Sequence, residues 1–298
     1  MFWKRTFSTV LLLSVFVAVI FAPSPGNKIV FFLLSIFLTF SLVREICDIV
    51  RNLGMETLKN TTALFCTLIV AIADFICSDF YLSDFVNLMI GLLSYMLLFG
   101  IAIGGPLFIL FSKNSGEKIK KLFNSFAVFF FILIPLSFIL AIYFYGETNK
   151  NLKINSTFLI FILLTKIGDI GAYVVGTASS KLMKGGNHKM VPSISPGKSW
   201  EGAAGGLIIT ILLALGFHCW FPELSVIETV PRAIITGICM FFGSMAGDLM
   251  ESALKRAAKV KDSGATIPGI GGVFDLVDSL FVTAPVAVLL AIFMKLSC

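Results

Sequence analysis

Charge is scarce in this chain. Only 13% of its 298 residues are Asp, Glu, Lys or Arg, about half the ~25% usual in soluble domains. A soluble domain must face water, and a chain this poor in charge cannot clothe its surface. Histidine is scarcer still. His188 and His218 are the two present, too few and too far apart for a zinc site. The cysteines at 47, 66, 77, 219, 239 and 298 form no CxxC pair. Most lie in apolar stretches, so they read as small buried hydrophobes rather than a disulfide scaffold. No stretch alternates polar and apolar residues as the strands of a membrane barrel do.

What is abundant is apolar. Hydrophobic residues make up 57% before the 25 glycines are added, against roughly 45–50% with glycine in soluble proteins. Mean hydropathy is +0.97. Disorder is excluded by the same numbers. The fold class expected is all-α, a polytopic integral membrane protein, because only helices satisfy their own backbone in lipid.

Nine apolar runs can be marked: Thr9–Ala22, Ile29–Val43, Ala63–Cys77, Phe85–Phe111, Phe126–Tyr145, Thr157–Gly176, Gly202–Trp220, Ala233–Asp248 and Ser279–Met294. Several fall short of the ~20 residues a span needs. Their helices are therefore expected to extend into flanking polar residues. The first run follows Lys4 and Arg5 like a signal peptide, but Phe21-Ala22-Pro23-Ser24-Pro25 is a poor cleavage site, so it reads as a helix.

With the N-terminus placed inside, 17 of the 23 Lys and Arg fall in inner segments and five in outer ones, with Lys166 inside a run. With the nine runs taken as about nine spans, this bias puts the C-terminus outside and the site facing the cytoplasm from the inner membrane. The net charge of +6 then reflects topology and anionic headgroups, and no nucleic-acid partner is expected. No internal repeat is visible. The chain reads as one membrane domain, with residues 1–156 a chemically quiet scaffold and residues 157–298 the catalytic half.

Ionisable residues enter the apolar runs in that second half. Asp169 lies inside Lys166-Ile-Gly-Asp169-Ile-Gly-Ala-Tyr173-Val-Val-Gly176. A membrane carboxylate is costly, about 2.5–3.5 kcal/mol on insertion scales. It is either a partner of Lys166 at i−3 or a group lining a watery cavity. Gly168, Gly171 and Gly176 suit close helix contacts or room for a ligand. Next comes Ser195-Pro196-Gly197-Lys198-Ser199-Trp200-Glu201-Gly202. Its Gly-Lys-Ser mimics the end of a P-loop, but Pro192 stands where the first glycine should be. What remains is Lys198 beside a helix start with Ser199 as N-cap, either a phosphate site or a lysine meeting lipid headgroups.

Further on, Asp248, Ser252, Lys255 and Lys259 recur at i, i+4, i+7 and i+11, so one helical face carries them. Glu251 and Arg256 flank that face. Then Lys261-Asp262-Ser263-Gly264 leads into Pro268-Gly269-Ile270-Gly271-Gly272, a tight loop whose bare amides can approach phosphate. Asp275 and Asp278 follow at i, i+3. Three carboxylates, Asp248, Asp275 and Asp278, at the ends of two membrane helices repel one another unless a cation sits between them. Oxygen-only ligands suit Mg²⁺, which often arrives with nucleotide phosphates. The pattern points to metal-assisted phosphoryl or nucleotidyl transfer.

The stretch from Ser252-Ala-Leu-Lys255-Arg256 through Lys261-Asp262-Ser-Gly264 to Pro268-Gly269-Ile270-Gly271-Gly272-Val-Phe-Asp275-Leu276-Val-Asp278 resembles the signature of the phosphatidate cytidylyltransferase (CDP-diacylglycerol synthase) family. Asp169-Ile-Gly-Ala-Tyr173 and Ile194-Ser195-Pro196-Gly197-Lys198-Ser199-Trp200-Glu201-Gly202 are also similar to that family. The resemblance covers roughly the last 130 residues. Two positions depart from it: Ile270 stands where the family has His, and Leu276 where it has Arg.

The resemblance implies a transferase that makes CDP-diacylglycerol and pyrophosphate from CTP and phosphatidate with Mg²⁺. Membrane lipids are then partners, and a second copy of the chain is a candidate partner. By position, Asp248 and Asp275 would hold the metal, with Asp278 in support. Lys255, Arg256, Lys261 and Lys198 would contact phosphates, and Asp262 belongs to the same catalytic stretch. Asp169, Ser252, Gly271 and Gly272 would line the substrate. A CTP-using lipid kinase is the nearest rival, and a divergent homologue of reduced activity the next. A transporter should carry polar residues through both leaflets, whereas these crowd at one side.

Overall fold

The computed structural model describes residues 2–78, 115–146, 148–149 and 154–296. Eight helices run through them: α1 (Phe2–Phe21), α2 (Gly26–Asn52), α3 (Lys59–Cys77), α4 (Ser115–Tyr145), α5 (Ser156–Leu182), α6 (Trp200–Trp220), α7 (Val230–Ala257) and α8 (Phe274–Leu296). All but α1 contain a segment long and apolar enough to cross a membrane. The chain is thus an all-α, multi-pass membrane protein. The expected run Phe85–Phe111 lies outside the described residues.

The helices outgrow their apolar runs as expected. The run ending at Asp248 continues as α7 to Ala257, and the run beginning at Ser279 starts five residues earlier as α8. Large apolar side chains stay exposed on the outside: Phe130 is 54% exposed, Leu212 60% and Phe293 71%. Water would make such a surface stick, whereas lipid tails match it. No disulfide links any of the five described cysteines.

The chain folds into two compact units. One comprises residues 1–134 with 257–275, the other 135–256 with 276–298. In the first, α2 packs on α3 and α1 on α2. Its core contains Leu42, Val43, Ile46 and Ile49 of α2, Cys66 of α3, and Val273 and Phe274. Phe131 of α4 meets Phe274 edge-on, with ring centroids 6.2 Å apart. Two acidic residues are buried in this unit, Glu45 and Asp74. Ser35 donates its hydroxyl to the Asp74 carboxylate.

In the second unit the most extensive helix contact is α5 against α6. It is built on glycine. A Cβ on Gly206 would stand 2.7 Å from the Gly168 carbonyl oxygen, and one on Gly202 2.7 Å from that of Ala172. Small residues let two membrane helices approach until their backbones touch. Buried hydroxyls bond back along their own helices. Thr165 donates to Phe161 O at 2.8 Å, Thr210 to Gly206 O at 2.8 Å and Thr283 to Ser279 O at 3.0 Å, which satisfies them where no water reaches. Between α5 and α6 the chain forms an antiparallel hairpin. Strand β1 (Lys189–Val191) pairs with β2 (Ser195–Ser199), Lys189 opposite Ser199 and Val191 opposite Ser195.

Candidate active site

The β1–β2 hairpin is held to the start of α6 by a compact set of bonds. Ser199 is the N-cap, as its position before an apolar run suggests, and its Oγ accepts from Gly202 N at 3.1 Å. Glu201 in the first turn accepts the His188 backbone N–H at 3.1 Å, and Trp200 N donates to His188 O at 3.0 Å. This fixes Lys198, one residue before the cap. A cavity of about 380 Å³ opens beside it, lined by Asp169, Tyr173, Asn187, Lys189, Lys198 and Ser199 among others. Its size suits a small-molecule ligand.

Lys198 Nζ lies 3.2 Å from Asp248 Oδ2. Both side chains are about a quarter exposed. Asp248 in turn lies near enough to Asp278 for the two carboxylates to repel. The approach is possible because Gly247 has no side chain: a Cβ there would lie 2.5 Å from Asp278 O and 2.7 Å from the Cα of Ser279. Lys166 serves Asp278 from α5. Its ammonium donates to Ser279 Oγ at 2.7 Å and to Leu276 O at 2.9 Å, and lies 3.7 Å from Asp278 Oδ1. It is therefore not spent on Asp169. Asp169 accepts instead from Ser244 Oγ at 2.7 Å and faces the cavity. Of the two readings of Asp169 left open by the sequence, the structure has the cavity-lining one.

The rest of the α7 face is partly committed. Lys255 pairs with buried Glu251 at 2.5 Å, one helical turn apart. Arg256 is exposed and donates from Nε to Ile194 O at 3.3 Å. Ser252 is half-buried.

The remaining expected residues belong to the other unit, in the loop 257–275. Lys261 and Asp262 are exposed there. Residues 267–271 close on themselves: Ile267 N donates to Gly271 O at 2.9 Å and Gly271 N to Ile267 O at 3.1 Å. Gly269 and Gly271 have positive φ, +81° and +137°, so both positions favour glycine. Asp275 Oδ2 accepts Gly272 N at 2.8 Å and Ser263 N at 3.2 Å. The amides of Gly271 and Gly272, expected to face phosphate, are thus both engaged by acceptors within the loop.

Among the described residues no group of three or more His, Cys, Asp or Glu stands at metal-binding spacing. The carboxylates the second unit brings together are a pair, Asp248 and Asp278. That donor set fits magnesium, which commonly takes one or two carboxylates and keeps its other positions for water and phosphate oxygens. Two lysines flank the pair, so a further anion is met by positive charge on either side.

Two contributors to the second unit's cluster, Lys166 and Ser244, are not among the site residues read from sequence, and neither is Glu45, which acts within the first unit. Glu45 puts a buried, fully bonded carboxylate in the half expected to be a quiet scaffold. Its carboxylate accepts Val273 N and Phe274 N, each at 2.9 Å, and the Ser263 hydroxyl at 3.0 Å. The signal was available, since Glu45 is an acidic residue in an apolar helix, and a membrane carboxylate demands a partner wherever it occurs.

Helices built for lipid and a charge cluster set among them define a multi-pass membrane protein of the kind that handles polar groups at helix ends. The chain belongs to the cytidylyltransferase family, whose family model matches residues 3–294. An uncharacterized protein, YnbB, of Escherichia coli (strain K12) is 37% identical over 139 residues, 46% of this chain and 43% of that one. A phosphatidate cytidylyltransferase of Haemophilus influenzae is 41% identical over 128 residues, 43% of this chain and 42% of that one. In both cases the match spans less than half of the relative's length. A phosphatidate cytidylyltransferase of Staphylococcus saprophyticus is 28% identical over 291 residues, 97% of this chain and 98% of the relative.

Proposed function

We propose that this protein transfers CMP from CTP to phosphatidate, giving CDP-diacylglycerol and pyrophosphate, at a site facing the cytoplasm from the inner membrane. The observation that carries the reading is the pairing of Asp248 with Lys198 beside the cavity lined by Asp169. Asp278 and Lys166 stand next to that pair within the same unit. Family membership and the names of two relatives support the same substrates.

The lipid phosphate is already an oxyanion, so the reaction needs little general-base help. The barrier is one anion approaching another, and fixed positive charge lowers it by positioning and neutralisation. Lys198 is held by the N-cap of α6 and can turn its ammonium from Asp248 to a triphosphate oxygen. Lys166 keeps the Asp278 carboxylate oriented toward Asp248. Asp248 and Asp278 would hold a magnesium ion, which when bound supplies further neutralisation of the triphosphate. The cavity beside Lys198 provides a place for the nucleotide, while a lipid acceptor reaches helix ends from the bilayer.

The test uses purified protein in detergent with phosphatidate and CTP labelled at the α- or the γ-phosphate. Label from the α-phosphate should enter lipid, with pyrophosphate released, only when a divalent cation is present. Label entering from the γ-phosphate would make the protein a lipid kinase instead.

A further inference from the structure

Glu45 is 5% exposed, and its carboxylate is saturated with donors from a segment more than 200 residues away. Oε1 accepts from Val273 N and the Thr266 hydroxyl; Oε2 accepts from Phe274 N and the Ser263 hydroxyl. Two of these donors are backbone amides at the entry to α8, where a helix has no intrahelical acceptors of its own. The other two are hydroxyls at the far end of the same loop. One carboxylate therefore ties both ends of segment 263–274 together.

Two glycines of the loop fit this arrangement. A Cβ on Gly264 would stand 2.8 Å from Glu45 Oε1, with the next two atoms it meets also on Glu45. A Cβ on Gly272 would run into the Ser263 hydroxyl and Glu45 Oε2. Neither residue has a positive φ that would itself call for glycine. Their missing side chains make room for the carboxylate. Asp275 completes the lock from within the loop by accepting Ser263 N and Gly272 N.

We propose that Glu45 is a positioning residue, its carboxylate setting the geometry of the loop that carries Lys261, Asp262 and Asp275, residues that the family resemblance assigns to the catalytic stretch. This rests on the cytidylyl-transfer reading for its kinetic consequence, but not for its structural one. A carboxylate satisfies all four donors. A glutamine offers one oxygen and one NH₂, and the NH₂ must face a backbone N–H that cannot accept. Glu45→Gln therefore leaves an amide of the loop unpaired with little change of shape.

Hydrogen exchange on the detergent-purified full chain reads the structural arm. In Glu45→Gln, exchange at Gly272, Val273 and Phe274 should rise about tenfold or more, as expected for loss of a charge-assisted bond, with the helices elsewhere unchanged. Gly264→Ala is the second variant. It leaves Glu45 in place and pushes a methyl group into the carboxylate, so it should raise exchange in the same segment. Unchanged exchange in both variants, or a rise throughout the protein, overturns the proposal.

The kinetic arm is KM for CTP, which should rise about fivefold or more in Glu45→Gln. A smaller folded fraction lowers kcat without moving KM. An unchanged KM would leave Glu45 as a stability residue and overturn the positioning role. A wild-type protein that makes no CDP-lipid would remove the cytidylyl-transfer reading, while the exchange result would still decide what Glu45 does to the loop.

Discussion

Lys198 and Asp248 form an ion pair 3.2 Å long, although 50 residues separate them and one lies in a hairpin while the other lies in a membrane helix. The hairpin is fixed by the Ser199 cap and the Glu201 bonds. The lysine is thus delivered to the carboxylate by local structure and not by a flexible reach. The pair is only about a quarter exposed on either side, and the desolvation it suffers offsets much of its attraction, so its net contribution to stability is small. Its consequence is chemical: positive and negative charge are held side by side next to a cavity that fits a ligand.

The first prediction concerns the carboxylates. Asp248→Asn and Asp278→Asn should each lower CMP transfer by about 100-fold or more. Chelation of divalent cations should do the same to the wild type, with activity returning on addition of Mg²⁺. The variants should be extracted and purified in wild-type yield. Near-normal turnover in Asp248→Asn would take that residue out of the site.

Lys166 and Asp278 are expected to be coupled. Lys166→Met leaves a carboxylate only 11% exposed without its cation. Because the lysine side chain is itself 34% exposed, the cost should be about 1–2 kcal/mol rather than that of a fully buried pair. Thermal unfolding in detergent measures it. Adding Asp278→Asn to Lys166→Met should recover part of the loss, and strictly additive losses would refute the coupling.

Leu276 stands where the family usually has arginine, and in this structure its carbonyl, not its side chain, accepts from Lys166. Leu276→Arg adds a cation without disturbing that bond. It should raise the initial rate of CMP transfer by about fivefold, the effect of roughly 1 kcal/mol on the barrier. An unchanged rate would mark the position as neutral.

The α5–α6 contact gives a purely structural prediction. Gly206→Ala places a methyl group against the Gly168 carbonyl and the Phe241 ring. It should cost about 1–3 kcal/mol through overpacking. Gly216→Ala on the same helix meets open space and should leave the unfolding midpoint unchanged or slightly raised, since alanine is the better helix former. Equal effects at the two positions would argue against a glycine-built interface.

Much of this protein is written in its composition and periodicity. Runs of apolar residues with little charge can only be membrane helices, since backbone groups in lipid must pair within their own segment. The Ser199 cap and the packing role of Gly202 and Gly206 follow from local rules that do not depend on distant chain. Partner choice does. The sequence shows that Asp169, Asp248, Asp275 and Asp278 each need company, because a carboxylate near a membrane is costly alone. It cannot say that Asp248 meets Lys198 and Asp278, that Asp275 closes its own loop, or that Lys166 passes over Asp169 to reach α8. Nor can it say that Glu45 holds a loop beginning 218 residues later. Helical spacing determines which residues share a face. Which face meets which is decided only when glycine contacts and hydrogen-bond donors from remote segments come together in the folded chain.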